Sequence, residues 1–170
     1  MCVIIYKPKG VKMPSIELLD KAHIRNPHGC GLVSPSAFYK GLSYDVFKKL
    51  FKKCSENEPL LIHFRYATHG SVKRSNSHPF VDDKSGVIFM HNGVLSGIRV
   101  HDDKTDSEIA FKEVLVPIIE RYGLGSAEFK SAAQRIIGSS KFAFMDGDNV
   151  LLMGDYIKSG GLYFSNLRFL

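Results

Sequence analysis

Two short stretches in the middle of the chain carry side chains that can bind a carboxylate and stabilise a developing negative charge. They read HFRYATHG, residues 63–70, and HNG, residues 91–93. Arg65 offers a planar guanidinium fork that fits a carboxylate. The Asn92 amide, next to the Gly93 backbone N–H, forms a pair of donors suited to an oxyanion. Such a site needs a nucleophile to perform acyl chemistry.

Cys2 can supply that nucleophile if the initiator Met1 is removed. Its own α-amine then lies within reach of its thiol and titrates near about 7.7–8.0, so it can act as a general base at neutral pH. Nucleophile and base would thus come from one residue. A cysteine at this position also fits a simpler role, as a small buried residue of the first strand.

The candidate residues stand at the ends of predicted strands. Apolar runs at residues 60–67 and 87–90 read as buried strands, and further strands are predicted at 2–6, 37–42, 141–146, 149–155 and 161–166. Helices are predicted after the N-cap residues Ser15, Ser43, Thr105 and Ser126, with a kink at Pro117. Strands and helices do not alternate as in a parallel fold, so the pattern predicts an α+β fold in which helices cover antiparallel sheets.

Composition is that of an ordinary soluble globular protein, with 44% hydrophobic and 24% charged residues in 170. This length predicts one domain. The net charge of +6 is scattered along the chain. Its densest group, between residues 48 and 53, alternates with apolar residues at helical spacing and reads as the solvated face of a helix. We therefore expect no nucleic-acid partner.

The sequence also predicts the absence of several other features. No apolar run is long enough to span a bilayer and no secretory signal is present, so we expect a cytoplasmic protein. The three cysteines have no CxxC spacing and are expected to be free thiols. Histidines at positions 63, 69, 78 and 91 have no partner at ligand spacing, so no metal site is predicted. Nucleotide-binding motifs are missing, and no cofactor is expected.

Five blocks, in the order Cys2, HFRYATHG, NSHPF, HNGVL and KTDSE, resemble the glutaminase domain of class II glutamine amidotransferases. This N-terminal-nucleophile family includes glucosamine-6-phosphate synthase and glutamine phosphoribosylpyrophosphate amidotransferase. The resemblance covers residues 2–166. It implies a four-layer αββα sandwich of two mainly antiparallel sheets. It also implies hydrolysis of the side-chain amide of glutamine, or of a related γ-glutamyl amide, to glutamate and ammonia.

The resemblance assigns three residues to catalysis. Cys2 is the nucleophile and carries a γ-glutamyl thioester, while Asn92 and Gly93 form the oxyanion hole. Two of them also fit a structural role, because Asn-Gly is a common hairpin-turn dipeptide.

Four further residues are assigned to substrate binding by the same resemblance. Arg65 holds the α-carboxylate of glutamine, the Thr68 and His69 region closes around it, and Asp106 accepts the α-ammonium group. Arg65 also fits a buried strand arginine paired with a carboxylate, and Asp106 fits a helix cap. The segment RNPHGCG departs from the family pattern, in which Arg-Gly is followed by an acidic or amide residue.

We expect residues 1–170 to form a single glutaminase-type domain with no acceptor or synthase domain. Glutamine is the predicted ligand, and ammonia would pass to a separate synthase subunit or to solution. Two other functions fit the same fold. One is a non-catalytic amino-acid-binding regulatory module, and the other is a Cys-type acylase of the same superfamily, whose substrate would lack the zwitterionic head that Arg65 and Asp106 recognise.

Overall fold

Two antiparallel sheets lie face to face in the computed structural model, which describes residues 2–68 and 70–170. The first sheet has the strand order β3-β2-β4-β1-β10-β9 and the second has the order β5-β6-β7-β8. The strands are β1 (Val3–Lys7), β2 (Cys30–Ser34), β3 (Ala37–Gly41), β4 (Leu60–Phe64), β5 (Phe80–Val81), β6 (Ile88–Asn92), β7 (Lys141–Asp146), β8 (Asn149–Met153), β9 (Ile157–Ser159) and β10 (Leu162–Phe164).

Helices cover the outer face of each sheet. They are α1 (Ile16–Arg25), α2 (Tyr44–Phe51), α3 (Asp106–Ile109), α4 (Val116–Tyr122) and α5 (Ala127–Ile137). The predicted caps at Ser15, Ser43, Thr105 and Ser126 are confirmed, since each side chain accepts a backbone N–H from the first turn. The predicted α+β fold, a four-layer αββα sandwich, is confirmed.

Three apolar layers hold the four structural layers together. One lies between α1, α2 and the first sheet, a second lies between the sheets, and a third lies between the second sheet and the later helices. Strand β4 has apolar residues at four of its five positions, and its packing explains this. Ile62 and Phe64 face the helices, whereas Leu61 faces the other sheet. Both faces of the strand are therefore buried.

The helical segment around Pro117 is continuous but irregular. A π-helical stretch, Ala110–Leu115, joins α3 to α4, and Pro117 stands in the first turn of α4. Proline has no N–H to donate, so the local departure from α-helical bonding precedes it. The helix disturbance predicted at Pro117 is therefore a π-helical stretch that precedes the proline.

Three details of the strands differ from the sequence-based expectation. Strand β4 ends at Phe64, so Arg65 begins a loop, while β6 continues through Asn92. The short strands β5 and β9 were not predicted, because two or three residues are too few for a periodic signal. In the register of β1 with β4, Val3 lies opposite Phe64. Cys2 consequently lies beside the loop that begins at Arg65.

Within the described part of the chain, none of the helices combines the length and apolar character needed to cross a membrane.

Candidate functional site

A small, open cleft lies where Cys2 precedes β1, where the loop leaves β4, and where β6 meets the start of α3. Five of the seven predicted site residues line it: Cys2, Arg65, Thr68, Gly93 and Asp106. The ends of four elements, β1, β4, β6 and α3, therefore meet at one place. The sixth predicted residue, Asn92, is not among the lining residues, and the seventh, His69, lies outside the described residues.

The Cys2 thiol is held by the loop that follows β4. Tyr66 N–H donates to Cys2 Sγ at 3.2 Å, and Sγ lies 3.5 Å from the Tyr66 carbonyl oxygen. Asn166 Nδ2 donates to the Cys2 carbonyl at 2.8 Å. Burial raises the pKa of the thiol, and the Tyr66 N–H and the Arg65 guanidinium oppose that change. Because burial dominates, the thiol needs a base to be deprotonated at neutral pH.

The Arg65 side chain is only 3% exposed and is oriented by the loop that follows it. Its guanidinium donates to the carbonyl oxygens of Ser71 at 3.0 Å and Gly70 at 3.3 Å. Asn76 Nδ2 donates to the same Ser71 oxygen at 3.1 Å and so holds the loop from the other side. The guanidinium plane therefore has one orientation at the cavity wall, as a carboxylate-binding fork requires.

Asp106 ties the loop after β6 to the start of α3. One carboxylate oxygen accepts the Leu95 N–H at 2.8 Å, and the other accepts the Ser107 N–H at 2.8 Å. Thr105 caps the helix, because its Oγ1 accepts the Glu108 N–H. The Ser107 hydroxyl also donates to this second carboxylate oxygen at 3.3 Å. A carboxylate has about four lone-pair sites, so these three bonds leave Asp106 able to accept from a cation in the cavity.

Gly93 occupies a position that no other residue fits. Its φ is 142°, and a Cβ built there would lie 2.7 Å from Ser140 Cβ and 2.9 Å from Ser140 Cα. The chain then runs to α3, whereas β6 pairs with β5 and β7. The alternative assignment of Asn92 and Gly93 to a hairpin turn is therefore wrong. The tight approach to Ser140 allows the Gly93 backbone to line the cavity.

Asn92 is 3% exposed and is held by a serine from the far end of the chain. Its Nδ2 donates to Ser165 Oγ at 2.8 Å, and the Ile4 N–H donates to the same oxygen at 2.8 Å. Among the described residues, Asn92 Oδ1 accepts no hydrogen bond. Rotating the amide by 180° would let the Ser165 hydroxyl donate to Oδ1 and leave both amide N–H groups as donors. Ser165 thus controls the orientation of this amide.

Three histidine rings lie together beside the cavity. His91 Nδ1 is 2.8 Å from Ser107 Oγ, His63 Nε2 donates to the His91 carbonyl at 3.1 Å, and the rings of His63 and His78 are 4.1 Å apart. Burial lowers the pKa of His63 to about 3 and that of His91 to about 4, and it lowers the pKa of His78 well below the usual value. The cluster is therefore neutral at neutral pH. In residues 2–68 and 70–170, no three His, Cys, Asp or Glu side chains are grouped to hold a metal ion.

The segment RNPHGCG supports the loop that carries Arg65 and Tyr66. His28 N–H donates to the Arg65 carbonyl at 3.0 Å, and Arg65 N–H donates to the Gly29 carbonyl at 2.8 Å. The Ala67 N–H donates to His28 Nδ1 at 3.0 Å, and the His28 ring packs 5.0 Å from the Tyr66 ring. His28 therefore positions the backbone N–H that contacts the Cys2 sulfur.

Comparison with known proteins identifies the family. A family model described as "Glutamine amidotransferases class-II" matches residues 48–155, which is more than half of the chain. The chain belongs to the class II glutamine amidotransferases. That assignment agrees with the resemblance carried by the five sequence blocks.

Curated relatives of this amidotransferase chain include glutamine–fructose-6-phosphate aminotransferases. The Lactococcus lactis protein is 34% identical over 98 residues, and the Pyrobaculum aerophilum protein is 30% identical over 102 residues. These matches cover 51% and 52% of this chain, but only 16% of each relative. The matched region is thus a small part of much longer proteins.

Solved structures with the same fold include a glutamine phosphoribosylpyrophosphate amidotransferase from B. subtilis, complexed with ADP and GMP. It has a TM-score of 0.62 at 19% identity and is covered over 41% of its length by 96% of this chain. A second structure, described as the allosteric regulatory enzyme of purine biosynthesis, has a TM-score of 0.61 at 18% identity with the same coverage. Both support the αββα fold of this class II amidotransferase.

Several residues around this cavity were missed by sequence reasoning. They act by holding other groups in place, and they are His28, Asn76, Ser107, Ser165 and Asn166. Only His28 had a sequence signal, because it lies in the segment that departs from the family pattern. The others are single polar residues whose importance depends on contacts across the fold.

Proposed function

We propose that this chain hydrolyses the side-chain amide of glutamine, or of a related γ-glutamyl amide, and releases glutamate and ammonia. The observation that carries this proposal is one cavity lined by the Cys2 thiol, the buried Arg65 guanidinium and the buried Asp106 carboxylate. Membership of the class II glutamine amidotransferases supports it, and so do relatives with glutamine in their names.

Cys2 is the nucleophile in the proposed reaction, and its α-amine is the base once Met1 has been removed. The amine takes the thiol proton, and the sulfur attacks the side-chain carbonyl carbon to form a tetrahedral oxyanion. When this intermediate collapses, the carbon–nitrogen bond breaks and the proton leaves with the nitrogen as ammonia. Water then hydrolyses the γ-glutamyl thioester on Cys2, which yields glutamate and restores the thiol.

The Gly93 N–H and the Asn92 amide stabilise the oxyanion in this proposal. Removing one donor of such a pair typically costs about 2.7–4 kcal/mol of activation free energy. In the observed orientation one Asn92 N–H is bound to Ser165 Oγ, so the second N–H of Nδ2 is the one available to an oxyanion.

A pair of opposite charges selects the substrate. Arg65 binds the α-carboxylate and Asp106 binds the α-ammonium group, while Thr68 and His69 close around the bound amino acid. Two fixed charges recognise a zwitterion and leave the side-chain amide near the Cys2 thiol. An ordinary acylase substrate lacks this head group, so the charge pair favours glutamine.

In this proposal, residues 1–170 act as one glutaminase-type unit, and the ammonia passes to a separate synthase subunit or to solution. Measuring both products with and without a candidate partner distinguishes these fates. A partner that consumes ammonia lowers free ammonia while glutamate continues to accumulate.

The proposal is tested by incubating the purified chain with glutamine and measuring ammonia and glutamate together. A glutamine-like electrophile, diazo-oxo-norleucine, should label Cys2 and spare the other two thiols. Burial raises the pKa of Cys30 to about 12 and also raises the pKa of Cys54. Peptide mass mapping locates the adduct.

Matched variants complete the test. Cys2→Ala should abolish turnover and labelling, whereas Cys54→Ser, which changes a half-buried thiol away from the cavity, should preserve both. An adduct on Cys54 contradicts the assignment of the nucleophile. Glutamine binding without turnover by chain that has lost Met1 would favour the non-catalytic regulatory module.

A further inference from the structure

A row of three side chains leads from Asp106 to the buried histidine cluster. Ser107 Oγ lies 3.3 Å from the Asp106 oxygen that also accepts the Ser107 N–H, and His91 Nδ1 lies 2.8 Å from the same Ser107 Oγ. His91 belongs to β6, whereas Asp106 and Ser107 begin α3. The exposed fractions of His91, Ser107 and Asp106 are 2%, 4% and 7%. Little water therefore competes for these contacts.

The hydroxyl group of Ser107 has one hydrogen, and the Asp106 carboxylate determines where it points. A carboxylate only accepts hydrogen bonds, so its contact with Ser107 Oγ uses the hydroxyl hydrogen. The Ser107 oxygen is then an acceptor on the side that faces His91. The His91 ring must consequently carry a hydrogen on Nδ1 and donate it to Ser107.

The surroundings of the His91 ring support this direction independently. Burial lowers the pKa of His91 to about 4, so the ring carries a single hydrogen at neutral pH. Its Nε2 is buried and has no hydrogen-bond partner among the described residues. A hydrogen on Nε2 would be a buried donor without an acceptor, which is rarer in folded proteins than an acceptor without a donor. This argument also assigns the hydrogen to Nδ1.

From these contacts we propose that His91 is a positioning residue for the amino-acid substrate, because it fixes the Asp106 carboxylate through the Ser107 hydroxyl. The inference rests on the proposed function, in which Asp106 binds the α-ammonium group of glutamine. A hydrogen bond donated to the Ser107 oxygen strengthens the bond that its own hydroxyl donates. Together with the N–H groups of Leu95 and Ser107, that bond restricts rotation of the carboxylate.

The proposed role concerns the α-ammonium group and no other part of the substrate. Glutaramate has the carboxylate and the side-chain amide of glutamine but lacks the α-ammonium group, so it does not use Asp106. Losing the hydrogen bond from His91 should therefore raise KM for glutamine and leave kcat/KM for glutaramate unchanged. A general disturbance of the cavity would instead affect both substrates.

Two substitutions of His91 distinguish its ring nitrogens. His91→Asn keeps an N–H near the position of Nδ1, whereas His91→Gln places its N–H near that of Nε2. His91→Gln and Ser107→Ala should each raise KM for glutamine about fivefold, the effect of losing one hydrogen bond, with kcat unchanged within about twofold. His91→Asn should keep KM within about twofold of the wild-type value.

Ser34→Ala is the matched control for removing a buried hydroxyl group. Ser34 is a buried residue of β2, its Oγ contacts Ser36 Oγ, and it does not line the cavity. This variant should have the wild-type KM for glutamine. The proposal is overturned if His91→Asn raises KM as much as His91→Gln does, or if His91→Gln lowers kcat/KM equally for glutamine and glutaramate.

Nitrogen-15 NMR of the wild-type chain tests the proposal without glutamine and without any variant. Long-range proton–nitrogen spectra show which ring nitrogen of His91 carries hydrogen, and we expect Nδ1. Hydrogen on Nε2 overturns the proposal whether or not the chain hydrolyses glutamine. Its failure is thus distinct from failure of the proposed function, which the ammonia and glutamate assay measures.

Discussion

The buried histidine cluster makes a quantitative prediction about acid stability. His63, His78 and His91 are each less than 5% exposed, and burial holds the pKa of every ring below its usual value. The unfolded chain therefore binds protons more tightly than the folded chain. The free energy of unfolding should be highest above the ordinary histidine pKa and should fall as the pH drops through and below it.

His63 gives the clearest magnitude, because its pKa falls from 6.5 to about 3 on folding. Lowering the pH from about 7.5 to about 5 should cost about 2 kcal/mol of unfolding free energy from this ring alone. His63→Gln removes the titrating group and can keep an N–H near the position of Nε2, which donates to the His91 carbonyl. The variant should therefore lose about 2 kcal/mol less than the wild-type chain over the same pH interval.

Urea denaturation at the two pH values measures this difference. His101→Gln is the control, because His101 lies on the surface and hydrogen bonds to Asp102 and Glu113 raise its pKa. The stabilisation from His101 is present below the ordinary histidine pKa and is lost as the pH rises. His101→Gln therefore cannot reduce the unfolding free energy that the chain loses on acidification. If His63→Gln and the wild-type chain lose equal free energy on acidification, burial does not keep His63 neutral and the reasoning fails.

Three further predictions concern the proposed reaction. Arg65→Lys keeps the charge but loses the planar fork, so kcat/KM for glutamine should fall at least about tenfold, and Asp106→Asn should have the same effect. A wild-type kcat/KM in either variant refutes the charge pair. Chain that retains Met1 should be inactive, because the Cys2 nitrogen is then a non-basic amide. Intact mass shows whether Met1 is present in each preparation, and the rate of ammonia release is measured for both. Equal rates with and without Met1 exclude the α-amine as base. Ser165→Ala should lower kcat about tenfold or more with little change in KM, since the hydroxyl orients the amide proposed for the oxyanion hole, and an unchanged kcat in folded protein contradicts that role.

Local physics explains what the sequence alone determined. A Ser or Thr cap forms its hydrogen bond within its own helical turn, so the four caps were predictable. An apolar run indicates that its own strand is buried, so most of the longer strands were predictable too. The ordered motifs were enough to identify the family and fold. They also indicated five residues that line one cavity.

The tertiary structure decided the contacts that hold those residues in place. Ser165 forms hydrogen bonds with Ile4, 161 positions away in sequence, and with Asn92, 73 positions away. The bond to Ile4 forms because β1 and β10 are neighbours in the sheet. Such contacts depend on strand order and register, which come from packing both sheets and all their helices together, and no local pattern in the sequence encodes that packing.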